Sequence, residues 1–234
     1  MAEAASASYF DFIRVPMTDP RWTAVQRLRY EVYCEELGYL KPDNYLTGLE
    51  SDEFDVHSVQ FAALNRQADV VATLRLVRDS PLGFPLEGRT APLWPAFYEL
   101  PRDKTVEISR LILAKQYRRR ATDGRYGLAA RGPDPSAGAE QRSPYPLILF
   151  GLFRVMFEES LRTGLTHWLA AMEPWLQQFL DRFGFTFTAV GGPIEYFGEV
   201  VPYSARIEDI FRAVAEMKPE VLQMVLGGGS SSRS

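Results

Sequence analysis

Thr105-Val-Glu-Ile-Ser-Arg-Leu-Ile-Leu113 is a run of β-branched and aliphatic residues with a carboxylate, a hydroxyl and a guanidinium set in its middle. A run this rich in Val, Ile and Leu reads as a strand buried on both faces, at the centre of a sheet. Glu107 and Arg110 are costly there, because a buried charge persists only when it is paired and hydrogen-bonded. Two readings are open: a structural ion pair inside a core, or a reaction centre built into the middle of a sheet. Strict alternation sends Glu107 and Arg110 to opposite faces, so a shared site requires a β-bulge between them.

Working outward, the preceding strand, Val70 to Val77, carries Arg75 between Leu74 and Leu76, on the face of Val71, Thr73 and Val77. Further upstream, Asp19-Pro20 places an N-cap residue before a proline and predicts a helix to about Leu37, stopped by Gly38. Wound as a helix, Trp22, Val25, Val32 and Tyr33 form one stripe with Arg29 in its middle, while Arg27 falls on the opposite side. Between helix and strands, Glu50-Ser-Asp-Glu-Phe-Asp-Val-His57 puts Glu50 and Asp52 on one side and Asp55 at the entrance to a strand from Ser58 to Leu64. Taken singly, an arginine on such a stripe snorkels to the core's edge and an acidic loop is a solvated surface. Taken together, Arg29, Arg75 and Arg110 against Glu50, Asp52, Asp55 and Glu107 suggest one polar network on one side of a sheet, and such networks are more often sites than scaffolding. His57 is as readily a structural histidine and stays outside the site.

The remaining chain supplies the frame. Ser80 to Pro101, with Leu82, Phe84, Leu93, Trp94, Phe97 and Tyr98 among prolines, is a lid, an acyl-chain wall or an irregular packed segment. Lys115-Gln-Tyr-Arg-Arg-Arg120 leads into a mobile Gly-, Pro-, Ser- and Ala-rich stretch to Arg142. A helix from Pro146 to Arg162, a strand from His167 to Met172 and a helix from Pro174 to Phe183 follow. A hairpin across Gly191-Gly192, a helix over 206–226 broken at Pro219 and a disordered tail over 227–234 complete the reading, with residues 1–226 as one domain.

With 46% hydrophobic and 24% charged residues in 234, and a net charge of -4, the chain has a globular composition and argues against a general nucleic-acid binder. Cys34 is the single cysteine, which excludes an internal disulfide and fits a reducing compartment, and no Cys/His cluster suggests a metal. The N-terminus lacks a basic region followed by an apolar core, and the apolar run from Leu147 to Phe157 is too short to span a bilayer, so a cytoplasmic location is expected.

In element order and charged cluster the chain resembles the GNAT-fold acyltransferases of the acyl-carrier-protein-using branch. It is more closely similar to the acyl-homoserine-lactone (autoinducer) synthases and the N-acyl amino acid synthases. The likeness rests on Arg29, Tyr33 and Tyr39, on the triplet Glu50-x-Asp52-x-x-Asp55, on Arg75, and on Glu107-x-Ser109-Arg110. The PEP-CTERM/exosortase system-associated acyltransferases are resembled further in Arg29 to Tyr39, Ala171-Met-Glu-Pro174 and Gly191-Gly-Pro-Ile-Glu-Tyr-Phe-Gly198. Autoinducer synthases usually show Phe and Trp where this chain has Tyr33 and Tyr39, so the lactone product does not follow.

The resemblance implies an α/β (α+β) GNAT-like fold: a mixed central sheet flanked by helices, with the central strand and the strand from His167 splayed around a pantetheine arm. It implies transfer of a fatty acyl group from an acyl-carrier-protein 4'-phosphopantetheine thioester, with acyl-CoA possible, to the amine of a small acceptor such as an amino acid. Glu107 is the first candidate for the base, since burial raises a carboxyl's pKa, and Asp52 the second, with Ser109 and Arg110 beside them. Arg29, Tyr33, Tyr39, Glu50, Asp55 and Arg75 are expected at the acceptor, where one arginine can bind an amino-acid carboxylate bidentately. Leu111, Ile112, Arg118, Arg119 and Arg120 are expected at the donor, the arginines facing an acidic carrier protein. No bound cofactor or metal is expected. An acetyl-CoA-dependent acetyltransferase is a rival reading, disfavoured because the run from Gln116 to Arg120 offers no glycine for a pyrophosphate loop. An autoinducer synthase and a non-catalytic ligand-binding module are the others.

Overall fold

The computed structural model describes residues 9–88, 93–118 and 145–226, with side chains up to 222. The expected tail over 227–234, the stretch from Arg119 to Arg142 and the N-terminal residues before Tyr9 lie outside them.

The described residues build a mixed sheet of eight strands in the order β1-β2-β3-β4-β5-β8-β6, with β7 paired onto β8. The strands are β1 (Asp11–Arg14), β2 (Ser58–Leu64), β3 (Val70–Arg78), β4 (Thr105–Leu113), β5 (His167–Met172), β6 (Thr188–Ala189), β7 (Ile194–Glu195) and β8 (Glu199–Arg206). Only β4 and β5 run parallel, joined by the helix α3 (Tyr145–Arg162); every other pairing is antiparallel.

Alternation decides which face each residue serves. Val59, Phe61, Ala63, Leu74, Leu76, Val106 and Ile108 join Ile148, Leu149, Leu152 and Met156 of α3 in the main core. On the other face, Ala62 and Leu64 pack with Trp22 and Val25, and Ile112 packs with Leu28 and Val32. Those partners belong to α1 (Trp22–Tyr30) and its continuation. The described parts of the segment 80–101, with the short helix α2 (Pro95–Tyr98), pack against the sheet: Phe84, Leu86, Leu93 and Phe97 bury themselves with Leu169 of β5 and Val190. Of the three readings left for that segment, packed structure is the one observed. The helices α4 (Pro174–Asp181), α5 (Ile207–Met217) and α6 (Pro219–Leu226) complete the chain. Among the described residues, no helix is long and apolar enough to cross a membrane.

Three expectations need correction, and one strand is new. The first helix begins at Trp22 rather than at Pro20, because the Asp19 carboxylate accepts from the Arg21 backbone and guanidinium and closes a turn instead. It does not continue as an α-helix to Leu37; residues Glu31–Glu36 form a π-helix. β1 had no sequence signal, being a four-residue edge strand with neither end buried. The last hairpin turns at Tyr196–Gly198, where the Tyr196 amide donates to the Gly198 carbonyl at 2.8 Å. Gly191 serves close approach rather than a turn: it bridges to Leu93, and a Cβ there would stand 3.0 Å from Pro202.

Candidate functional site

The site begins with an irregularity in β4. Arg75 lies opposite Ser109 and Thr73 opposite Ile112, so Arg110 and Leu111 together face Leu74 alone. This is a β-bulge, and Arg110 takes the left-handed conformation, φ 50°, that glycine usually occupies in one type of bulge. Such a backbone is unfavourable for a residue with a Cβ. It is held by the Thr73 hydroxyl, which donates to the Arg110 carbonyl at 3.0 Å. The bulge lets Arg110 join Ser109 on the face that α1 covers, while Leu111 turns toward the main core.

Three arginines and three carboxylates meet there in a closed ring of alternating charge. Arg29 pairs with Glu50 and, bidentately, with Asp55 at 2.8 and 3.2 Å. Arg75 bonds Asp55 at 2.7 Å and grips Asp52 with both terminal nitrogens at 2.5 and 2.9 Å. Arg110 closes the ring on Glu50 at 2.8 Å and Asp52 at 2.9 Å. Arg29, Glu50 and Arg75 are wholly inaccessible to water. Gln60, which the sequence reading passed over, donates to Asp55 at 3.0 Å; its place on the Ala62–Leu64 face of β2 was the available signal. Burial, the largest influence on the Asp52 carboxyl, raises its pKa, but the hydrogen bonds and charge of Arg75 and the charge of Arg110 outweigh it and bring it to about 2. Glu50 is lowered on the same balance, with Arg110 and Arg29 overcoming burial.

Asp52 is engaged by two guanidiniums, which disfavours it as a proton acceptor near neutral pH. Each guanidinium serves two carboxylates of the ring, and of the three arginines Arg110 is the one that also borders the neighbouring cleft.

Glu107 lies on the same face, outside the ring. It is 2% exposed, and the bond found for its carboxylate comes from the Leu86 amide at 3.0 Å. Burial lifts its pKa to about 8, against the weaker opposing influence of the Leu86 amide, Arg75 and Arg110. A carboxyl tuned this way exchanges a proton near physiological pH.

The two parallel strands separate beside it. Pairing between β4 and β5 runs from Thr105 with His167 to Ile108 with Ala170 and ends, although both strands continue. The cleft that opens is lined by Glu107, Ser109 and Arg110 on one side and by Ala171, Met172 and Glu173 on the other. Leu111, Ile112, Leu176, Leu180 and Phe187 give it an apolar interior.

Tyr33, Tyr39, Tyr196 and Phe197 add an aromatic wall to the cleft. The Arg110 guanidinium stands 5.0 Å from the Tyr33 ring and 5.8 Å from the Phe197 ring. Tyr39 stacks on Phe197 at 5.4 Å. The π-helix carries Tyr33 to this position; such widened turns recur at functional sites. In the sequence Tyr196 and Phe197 stand out only as part of the Gly191–Gly198 motif; the left-handed backbone of Phe197, φ 53°, marks them as functional candidates.

Of the donor residues, Leu111 and Ile112 line the cleft. Arg118 also borders it but is ion-paired with Glu36 and largely covered, so it is not the free surface cation expected. Arg119 and Arg120 lie outside the described residues.

A family model described as an acetyltransferase (GNAT) domain matches residues 28–125, the span that holds the whole ring and Glu107. Among solved structures, the chain is similar to a CoA-dependent acyl-homoserine lactone synthase, BjaI, solved with SAM and isopentyl-CoA: TM-score 0.61, 20% identity, 89% of this chain and 87% of that one. It is similar to the AHL synthase LasI, with TM-score 0.55, 16% identity and 96% and 97% of the two chains. FeeM, an N-acyl amino acid synthase from uncultured soil microbes, superposes with TM-score 0.53 and 14% identity over 87% and 94%. No curated protein matches the chain significantly.

Proposed function

Starting from the GNAT fold that this chain has, we propose that it transfers a fatty acyl group from a pantetheine thioester to the amine of a small acceptor, an amino acid by preference. The donor in this reading is an acyl carrier protein, with acyl-CoA as the alternative carrier. The observation that carries the reading is a nearly neutral carboxyl, Glu107, at the point where β4 and β5 part.

The chemistry asks for little else. An α-amino group with a pKa of about 8 is mostly protonated at neutral pH and must lose a proton to attack. Glu107, directly or through a water, takes that proton and passes it to solvent, freeing the lone pair that bonds to the thioester carbonyl carbon. As the tetrahedral intermediate collapses, the nitrogen gives up a second proton, the carbon–sulfur bond breaks and that proton goes to the departing thiolate, so that amide and free thiol result with one proton released. β4 beyond Ile108 has no ladder partner in β5, and amides along such an edge are preorganised donors for the oxyanion. The charge-balanced ring fixes Arg110 and Ser109 at the cleft wall.

Similarity to the acyl-homoserine lactone synthases supports a second reading, in which S-adenosylmethionine is the acceptor. Incubating the protein with acyl-carrier-protein or acyl-CoA thioesters, a pool of amino acids and S-adenosylmethionine, then searching for products by mass spectrometry, separates the two. N-acyl amino acids are the expected outcome; homoserine lactones would transfer the case to the second reading, and no acyl transfer with either donor would end both.

A further inference from the structure

Glu107 owes its orientation to a single backbone amide, and that amide sits in a turn with a fastening of its own. Leu86, wholly buried, presents its N–H to Glu107. The turn holding it is closed by the neighbouring Glu87, whose carboxylate accepts from the Phe84 amide at 2.6 Å while its own amide donates to the Phe84 carbonyl at 3.0 Å. Gly83 has φ 71°, and a Cβ there would stand 2.6 Å from the Glu87 carboxylate, so the turn is shaped around that group.

Arg102 locks the arrangement from outside. Two of its terminal nitrogens bond the two Glu87 oxygens at 2.8 and 2.9 Å. The Asp79 carboxylate is held at 2.6 and 3.2 Å, and the guanidinium covers the Phe84 ring at 5.0 Å. One planar fork thus joins the end of β3, the 84–87 turn and the approach to β4. An isolated exposed ion pair contributes little, but a doubly bidentate guanidinium with a ring beneath it restricts geometry. This arginine is outside the cleft and touches neither Glu107 nor the charged ring.

We propose that Arg102 is a positioning residue for Glu107: by clamping Asp79 and Glu87 it fixes the turn that delivers the Leu86 amide to the carboxyl. The proposal rests on the reading of Glu107 as the base. A hydrogen bond to a carboxylate favours its ionised form, so loosening the turn raises the pH at which Glu107 loses its proton.

The test compares wild type, Arg102→Ala, Arg102→Lys and Glu87→Gln, with Glu107→Gln as the reference that identifies the Glu107 signal. Isotope-edited infrared titration of labelled glutamate follows the carboxyl directly, and the pH profile of kcat/KM follows its use. In Arg102→Ala we expect the titration and the acidic limb of the profile to move up together by about half a pH unit, a roughly threefold loss of ionised base below the midpoint. KM should hold, and Arg102→Lys, charged but without the fork, should fall between. The Glu87 charge itself raises the Glu107 pKa, so Glu87→Gln reports on the turn only by an upward shift against that lost charge; a Glu107 titration unmoved in Arg102→Ala, or one that only falls in Glu87→Gln, would overturn the proposal. If Glu107→Gln stays active, it is the assignment of the base that fails; the infrared shift still decides the role of Arg102.

Discussion

Glu50, Asp52 and Asp55 on one side and Glu107 on the other are carboxylates largely withdrawn from water on the same face of one sheet, yet the structure treats them in opposite ways. The first three stand in a ring where every acid meets two guanidiniums, and Asp55 the Gln60 amide as well. Burial there is overcome: the Asp52 pKa falls to about 2 and that of Glu50 is lowered. Glu107 is held by one amide and no direct ion pair, and burial wins. What separates structural acid from candidate base is therefore not burial but the number of charged partners within bonding distance. The two groups also respond to pH with opposite sign. The folded-state pKa of Asp52 is depressed, so its contribution to stability is present above about 4 and is lost as pH falls toward about 2. The folded-state pKa of Glu107 is raised, so stability is highest below about 4.5 and declines as pH rises toward about 8.

Breaking the ring should have the largest effect. Arg29→Met leaves Glu50 and Asp55 buried with one cation fewer, and removing one partner of a buried pair costs about 3–5 kcal/mol. A urea midpoint within experimental error of wild type would mean that the ring is not the structural half of the comparison. Arg29→Lys should recover little, because an ammonium cannot reproduce the fork that spans two carboxylates.

Glu107→Gln strikes the other half and should spare the fold. Loss of a general base lowers turnover by about 10²–10⁴-fold, read as kcat/KM with the donor and acceptor that the product search identifies. Stability should move the other way. Below pH of about 4.5 the variant and wild type should melt alike, and above it the variant should gain by about 1.4 kcal/mol per pH unit until the gain levels off near pH 8. A constant difference across that range would show that the carboxyl is not held neutral by the fold.

The same contrast explains what the sequence made legible. Alternation placed Arg75, Arg29 and the acidic triplet together, because each polar residue interrupts an apolar pattern whose period is known; the structure gathers them into the ring. It also showed that Glu107 and Arg110 can share a face only across a bulge, and the register at Thr73 and Arg75 contains one. Pairing was beyond reach. No spacing rule tells that the guanidiniums would satisfy Glu50, Asp52 and Asp55 and leave Glu107 aside, since that depends on the 84–87 turn arriving from a segment without periodicity. The π-helix was hidden for a related reason: an apolar stripe read at the α-helical period does not reveal one wider turn.

Phe197 offers the finest division between fold and function. Its left-handed backbone, φ 53°, is unfavourable for a bulky side chain by about 1–2 kcal/mol, an amount that glycine would not incur. Its ring meanwhile stacks on Tyr39 and approaches the Arg110 guanidinium. In Phe197→Gly the relief of the turn and the loss of ring contacts oppose each other, so stability should change by less than about 1 kcal/mol. Binding has no such compensation. If the ring is kept in a strained position because it closes the cleft beside Arg110, KM for the acceptor should rise about three- to tenfold with kcat nearly constant, as expected when one aromatic contact to a bound ligand is lost. A KM that stays at the wild-type value would place Phe197 with the ring as scaffolding and leave the aromatic wall to Tyr33 and Tyr39.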